Sequence, residues 1–438
     1  MRTMLSRLAL LISMAAAPLL AFAQLDATEQ AIVRWSQDNA EAAIALIERQ
    51  VNINSGTMNH PGVKQVAELL EPELAALGLE TEWLDMSAVN RSGHLFARQN
   101  TDRDGGTKIL MIGHLDTVYE LTDTFQAFER DGRYASGPGV SDMKSGNAVM
   151  IYALKALAAV GALDDMQVVV AYTGDEEQPG RPIATTRGAL IEAGEWADVS
   201  LGFENGIRAG EGTEYATTSR RGFSGWQLIV TGQQSHSSQI FSEQIGAGAI
   251  FEAARILNEF YEEVRGEEYL TFNAGLILGG TDIDVDAETT QGAAFGKLNV
   301  VPRQAVVLGE IRTISNAQYE SAQQKMQAVV ARHRPQTNAA LSFDGGYPAM
   351  SPTEGNERLR VQLSQINEEL GRGAMPAVDP LARGAADIAF VAPYTDGLAG
   401  MGPAASGGHT PNERLDLESI PAAIQRAAIL MYRLTRGN

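Results

Sequence analysis

Two short apolar runs constrain this chain more than any other feature: Ile109-Leu110-Met111-Ile112, and the stretch from Gln167 to Tyr172. Neither alternates with polar residues, as a strand with one wet face would. Such runs belong to strands buried on both sides, which occur where helices cover both faces of a parallel sheet. Between them, from Ser145 to Val160, apolar residues recur at helical spacing, so the segment reads as strand, helix, strand. A third strand is predicted at Val199 to Phe203 and a closing helix at Leu417 to Leu434. From Asp26 to about Leu79 the spacing of Ala42, Leu46 and Ile47, and then of Val66, Leu69, Leu70, Leu74 and Leu77, predicts two helices, with Gly78 marking the second stop. The fold class is therefore α/β, with a mixed, mostly parallel sheet flanked by helices.

The middle of the chain changes character. After Arg220-Arg221-Gly222, strand-like segments at Trp226 to Val230, Thr271 to Leu278 and Ala305 to Ile311 are separated by helical patterns at Ile245 to Val264 and Asn316 to His333. This reads as an inserted α+β unit at 217–346, a four-stranded antiparallel sheet with two helices, interrupting an outer domain formed by 24–216 and 347–438. Residues 1–23 stand apart. Arg2 and Arg7 precede an apolar run from Leu8 to Leu20, and Ala21-Phe22-Ala23 has the small-x-small form of a cleavage site, so the segment is expected to be a signal peptide cleaved near Ala23. The mature chain is then expected in the periplasm or secreted.

The formal charge of −20 disfavours nucleic acid and anionic membranes as partners, and no membrane contact is expected once the leader is removed. With no cysteine at all, disulfide frameworks, thiolate-ligated zinc, iron–sulfur clusters and Cys nucleophiles are excluded. Any metal must rest on His, Asp and Glu.

Those residue types gather after the apolar runs, at the edge where open α/β sheets bind ligands. His114 and Asp116 lie two apart on an extended chain and so on one side; a metal could take one ring nitrogen of His114 while Asp116 orients the other. A glycine-rich turn, Gly137-Pro138-Gly139-Val140-Ser141-Asp142, delivers Asp142 to the start of a helix. Thr173-Gly174-Asp175-Glu176-Glu177 places adjacent carboxylates at a strand end, where a cation would relieve their repulsion. Gly202-Phe203-Glu204-Asn205 and Gly407-Gly408-His409-Thr410-Pro411-Asn412-Glu413 complete the set. Taken singly, each piece has an ordinary alternative: a solvated histidine, an N-cap aspartate, an acidic loop.

Taken in order, HLDTV, GPGVSDMK, GDEE, FEN, SH and GGHTPNE resemble the dinuclear zinc metallopeptidases that include glutamate carboxypeptidase, aminoacylase, acetylornithine deacetylase and succinyl-diaminopimelate desuccinylase, over about residues 40–435. The periplasmic glutamate carboxypeptidase branch is the most similar in character. The resemblance implies a zinc exopeptidase-like catalytic domain and an inserted dimerisation or lid domain, hence a homodimer through the insert. It implies His114, Asp142, Glu177, Glu204 and His409 as ligands of two Zn2+ per chain, with Co2+ or Mn2+ as substitutes and Asp142 bridging. It implies catalytic roles for Glu176 as general base, for Asp116, and for His236 as an oxyanion donor reaching an active site from the insert. Arg312 and Asn299 match positions that hold the substrate, Arg312 its terminal carboxylate. Gly384 belongs to a substrate-binding loop similar to the family's Gly-Gly-Thr-Asp.

The chain departs from the family there, reading Arg383-Gly384-Ala385-Ala386-Asp387, so Ala386 lacks a hydroxyl. Phe343-Asp344-Gly345-Gly346-Tyr347-Pro348 lacks an arginine that supports glutamate recognition, and Ser145 stands where glycine is usual. The expected activity is a secreted, metal-dependent carboxypeptidase acting on small peptides or N-acyl amino acids. The alternatives are an amidohydrolase or aminoacylase of N-acyl amino acids or xenobiotic amides and, more remotely, an inactive binding protein on the same fold. No Gly-x-Ser-x-Gly elbow, P-loop or His-Glu-x-x-His occurs, so serine hydrolase, P-loop NTPase and single-ion metalloprotease readings lack support. The glycines Gly222 and Gly345-Gly346 at the junctions suggest that the insert can close over the substrate.

Overall fold

A computed structural model describes residues 25–209, 212–287 and 290–436. The expected leader and its cleavage site lie outside the described residues. Within them, no helix is long and apolar enough to cross a membrane.

The outer domain is built on a six-stranded sheet in the order Glu80–Asp85, Gly93–Gln99, Gln167–Thr173, Lys108–His114, Val199–Gly202, Asp396–Leu398. The last four strands run parallel; Gly93–Gln99 pairs antiparallel beside them, and Glu80–Asp85 pairs antiparallel to Gly93–Gln99 at the edge. The apolar runs supply the two central strands, and every residue of Gln167–Thr173 is buried. Successive side chains face opposite sides. Ile109 and Met111 join the core under the helices Ala27–Asp38, Ala40–Val51, Lys144–Ala159 and Ile420–Arg436, whereas Leu110 and Ile112 join the core under Ile183–Trp196 and Ile388–Val391. Helices on both faces are the arrangement that two-sided burial requires.

Three details differ from the sequence reading. The first helical stretch is three helices, Ala27–Asp38, Ala40–Val51 and His60–Ala75, because Asn39 breaks the ladder and returns its side-chain amide to the Trp35 carbonyl at 2.8 Å. The strands Glu80–Asp85 and Gly93–Gln99 were not anticipated, nor was the hairpin Asp282–Asp286 with Gln291–Phe295. The closing helix starts at Ile420, after a 3-10 turn at Leu417–Ser419 capped by Asp416.

The inserted α+β unit is a four-stranded antiparallel sheet in the order Thr271–Gly280, Gln304–Thr313, Gly222–Gly232, Thr337–Phe343. Gly248–Glu263 and Asn316–Val330 cover one face. Alternate residues of Gly222–Gly232, including Trp226, Leu228 and Val230, meet Phe260 and Met326 in a separate core. The two crossings between units are paired: Arg220 and Met350 exchange backbone hydrogen bonds of 2.9 and 3.0 Å, and Phe223 N–H donates to Tyr347 O at 2.9 Å.

One glycine sets how closely helix Lys144–Ala159 approaches the site. A Cβ on Gly146 would lie 1.8 Å from the carbonyl oxygen of Phe203, the residue before Glu204. Neither backbone can yield cheaply, so Gly146→Ala is expected to cost about 1–3 kcal/mol, the range for overpacking. A melting temperature equal to that of the parent would contradict this close approach.

Candidate metal centre

The site lies at the carboxyl ends of the parallel strands, where side chains leave the sheet and their backbone groups need new partners. His114 ends its strand, and its carbonyl accepts from Asn147 Nδ2 at 2.6 Å, tying it to the following helix. Leu115 N–H donates to Thr173 O at 2.7 Å, which locks the His114 turn against the loop carrying Glu176 and Glu177.

Asp116 organises that loop. Its fully buried carboxylate accepts from Thr57 Oγ1 at 2.6 Å and from the backbone N–H groups of Glu176 at 3.0 Å and Glu177 at 3.1 Å. The same carboxylate lies 3.4 Å from His114 Nδ1, so one side chain orients the imidazole and pins both glutamates. Behind it, Glu413 plays a comparable part: Oε2 accepts from Gly139 N–H at 2.6 Å and fixes the glycine turn leading to Asp142.

Asp142 sits between two imidazoles. Its Oδ1 is 3.0 Å from His114 Nε2 and its Oδ2 is 3.1 Å from His409 Nε2, while His409 Nε2 is also 3.1 Å from Glu177 Oε2. Two overlapping groups result, His114 with Glu176 and Glu177, and Asp142 with Glu177 and His409, each offering atoms within 4.8 Å of one another. The donors are nitrogen and oxygen only, suited to divalent zinc, cobalt or manganese. Glu177 Oε1 is buried and, among the described residues, has no hydrogen-bond partner. A buried carboxylate oxygen left without a partner beside two groups of ligand atoms is what a cation would satisfy, so these residues fit a pair of metal ions.

The electrostatics agree. Burial, and then the Asp142 charge, push the Glu177 carboxyl up to about 7. Burial raises Glu176 well above the usual carboxylate range, and raises Glu413 to about 8 against its bond from Gly139. Burial opposes the imidazolium of His114, but its bonds to Asp116 and Asp142 outweigh it and hold the pKa well up. Hydrogen bonds to Asp142 and Glu177 raise His409 to about 11.

A pH dependence follows for the metal-free chain. Glu177 and Glu413 keep their protons in the folded state above 4.5, where the unfolded chain has released them, up to about 7 and about 8. The folded state then binds more protons, so stability falls as pH rises through that window. Chelated protein is expected to melt at a lower temperature at about pH 9 than at about pH 6, and reloading with zinc to flatten the slope. A melting temperature that rises across the window after chelation would contradict this.

The remaining expected residues are placed differently. Glu204 lines the same niche as His114 and Glu176, but its carboxylate is paired with Arg220 and lies 3.5 Å from Arg383 Nη2, outside both groups of donors. Gly384 contributes its carbonyl, which accepts from Arg220 Nε at 2.7 Å. Within this single chain the insert residues do not join the centre. His236 is exposed, with Nδ1 2.8 Å from Ser238 Oγ, and the exposed Asn299 lies beside it, its carbonyl accepting from Ser237 N–H at 2.9 Å. Arg312 spends Nε and Nη2 on Glu310, at 3.1 Å each, over the Phe223 ring.

A buried network that was not legible in the sequence supports the glutamate loop. Arg187, fully buried, donates to Asp175 Oδ1 at 2.6 Å, to Asp387 Oδ1 at 2.7 Å and to the Tyr347 hydroxyl at 2.9 Å. Tyr347 in turn donates to the Glu176 carbonyl at 2.7 Å, and Thr173 Oγ1 to Asp387 Oδ2 at 2.6 Å. Asp175 stood in the sequence as the first acid of the Asp-Glu-Glu run, but nothing there pointed to Arg187.

Known proteins resemble this chain in sequence and in fold. The sequence pattern of Peptidase family M20/M25/M40 matches residues 110–433. Carboxypeptidase G2 of a Pseudomonas species is 27% identical over 421 residues, spanning 93% of this chain and 93% of that protein. Succinyl-diaminopimelate desuccinylase of Bordetella avium is 28% identical over 375 residues, spanning 82% of this chain and 90% of that protein. Among solved structures, aminopeptidase PepT of Bacillus cereus superposes with a TM-score of 0.70 at 18% identity, covering 90% of this chain and 99% of its own. The YXEP protein of Bacillus subtilis, described as a dinuclear metal binding peptidase from the M20 family, superposes with a TM-score of 0.62 at 17% identity over 91% and 99%. At these identities the structural likenesses speak to the fold.

Proposed function

The chain belongs to peptidase family M20/M25/M40, and from that premise we propose that it is a carboxypeptidase that hydrolyses the amide bond to a C-terminal amino acid of small peptides or N-acyl amino acids, using two zinc ions per chain. A metallopeptidase or amidohydrolase related to carboxypeptidase G2 is the coarser statement, which the family and that relative support directly. The observation that carries the finer reading is the disposition of Glu176 and Glu177. Both backbone N–H groups are pinned on one buried carboxylate, so the adjacent side chains leave the chain in different directions and can do different work. Glu177 lies in both groups of donors, with His409 and Asp142 and with His114, while Glu176 lies in the His114 group alone.

When bound, a pair of divalent cations polarises a carbonyl and a water and neutralises the carboxylates. The chain's own part is proton handling and orientation. Glu176, raised by burial, accepts a proton from the attacking water at its carboxylate and delivers it to the leaving nitrogen. Asp116 keeps His114 in one orientation throughout, and the Arg187 network holds the backbone of the glutamate loop still. His236 is the proposed oxyanion donor, supplied by the insert of a second subunit, since in its own chain it stands exposed and apart from the donors.

A dimer through the insert suits an apolar patch there. Phe241, Ile250, Phe251, Phe295 and Leu298 are all exposed, and Phe241 and Phe251 pack ring to ring at 5.6 Å. Phe251→Glu is expected to give a monomer in sedimentation with most activity lost; a wild-type chain that sediments as a monomer would overturn the dimer. Export to the periplasm rests on the sequence of residues 1–23. The second reading, an amidohydrolase releasing an acyl acid from an N-acyl amino acid, is favoured by the desuccinylase relatives and is separated by substrate. Chelator-sensitive release of a free amino acid from N-acyl amino acids and dipeptides alike supports the carboxypeptidase; release from acylated compounds alone supports the amidohydrolase.

A further inference from the structure

His409 needs support from elsewhere in the fold. Its side chain is 56% exposed, so packing around the ring does little to hold it beside Asp142 and Glu177. Its backbone takes the left-handed conformation, with φ +64°, which residues other than glycine seldom adopt and which persists where the surroundings impose it. Hydrogen bonds from Thr410 N–H and Oγ1 to Gly407 O, at 3.1 and 2.8 Å, close the turn on itself without anchoring it to the rest of the domain. The bond from Gly139 to Glu413 fixes the far end of the loop.

The near end is held by Tyr119. Its hydroxyl donates to the carbonyl of Thr410, the residue after His409, at 2.7 Å and across 291 positions of the chain. Tyr119 is only 6% exposed, its ring meets Phe125 edge to face at 5.2 Å, and its carbonyl accepts from Asn54 Nδ2 at 3.0 Å. Just before it the chain is tied down by backbone bonds, Thr117 N–H to Ser55 O at 2.9 Å and Thr57 N–H to Thr117 O at 3.2 Å. A phenol has one hydrogen to donate, and on a ring fixed by packing it defines one position for the carbonyl it holds. One short segment therefore serves both sides of the centre: Asp116 orients His114, and Tyr119 holds the loop of His409.

We infer that Tyr119 is a positioning residue for the metal centre, holding His409 in place to bind a divalent cation together with Asp142 and Glu177. It acts through the loop, since its hydroxyl hydrogen is spent on Thr410. The inference rests on the proposed two-metal reading and adds the residue that secures its exposed histidine.

The test uses the full chain and zinc alone. Zinc dissociation constants are measured by competition with a chelating indicator for the parent, for Tyr119→Phe, for His409→Ala and for the double variant, together with the melting temperature of each chelated chain. Tyr119→Phe is expected to weaken the binding of one zinc ion by about 10-fold, the low end of the range for residues that orient a ligand. In the His409→Ala background the same substitution is expected to cause no further weakening, because the ligand it acts through is gone. Thr410 is exposed, so water can donate to the carbonyl that the phenol vacates, and the chelated Tyr119→Phe chain is expected to melt with the parent. Zinc affinity unchanged in Tyr119→Phe would overturn the inference, whatever the melting temperature, and leave the two-metal reading intact. Equal weakening with and without His409 would also overturn it, by placing the effect elsewhere. A parent chain that binds no zinc would overturn both the inference and the reading beneath it.

Discussion

Glu176→Gln is expected to lower turnover by about 10²- to 10⁴-fold, the range a positioned general base contributes, while the chain retains its full complement of metal. The reason is the division of labour between adjacent residues. Glu177 belongs to both groups of donors, so its loss removes a ligand common to them, whereas Glu176 belongs to the His114 group alone and is buried with a raised pKa. The amide in Glu176→Gln keeps size and hydrogen bonding but cannot accept a proton. Its backbone N–H still donates to Asp116, so the loop should hold its shape. Paired measurement of kcat and of zinc per chain separates the outcomes. Loss of turnover with metal retained assigns the base; loss of both would make Glu176 a ligand; wild-type turnover would remove it from the chemistry. His114→Ala and Asp142→Ala, by contrast, should lose metal and activity together.

Arg187→Met is expected to destabilise the outer domain by about 3–5 kcal/mol, the cost of removing one partner from a buried ion pair. Arg187 and Asp175 are fully buried and Asp387 is nearly so. Removing the guanidinium strands two carboxylates away from water and releases the Tyr347 hydroxyl that bonds the Glu176 carbonyl. Methionine fills similar volume, so the effect reports charge and hydrogen bonding and not a cavity. Arg187→Lys should recover little, because one ammonium cannot reproduce the fork to Asp175, Asp387 and Tyr347. Differential scanning calorimetry of the metal-loaded chain should show the outer-domain transition lowered by roughly 10 °C. An unchanged transition would mean that water or rearranged partners satisfy both aspartates.

What the sequence made legible follows from which physics is local. Burial on both faces writes itself into a strand as an unbroken apolar run, and so the central strands, and the site at their ends, could be read directly. The edge strand Glu80–Asp85 hid because its residues are exposed or half-buried and read as a polar connection. The break at Asn39 hid because apolar spacing continues across it. At the centre, His114, Asp142, Glu177, Glu204 and His409 were expected as ligands because the order of their motifs resembles a known family; the side chains of His114, Asp142, Glu177 and His409 lie close together, while Glu204 is held by arginines. The arginines were not found. Arg187 lies on a helix, where an arginine ordinarily faces water, and its burial depends on aspartates 12 and 200 residues away. Arg220 and Arg383 close on Glu204 from sequence distances just as opaque. The partners of a charge are a tertiary property, whereas the type of a ligand is a local one.

The proposed activity is metal-dependent release of an amino acid that bears a free carboxylate. Its most direct test is to incubate the purified chain with a panel of dipeptides, N-acyl amino acids and their C-terminal amides, zinc-loaded and after chelation, and to measure free amino acid. Release is expected from the acids and little from the amides, abolished by chelation and restored by zinc. Release that survives chelation, or that is as fast from the amides, would contradict it.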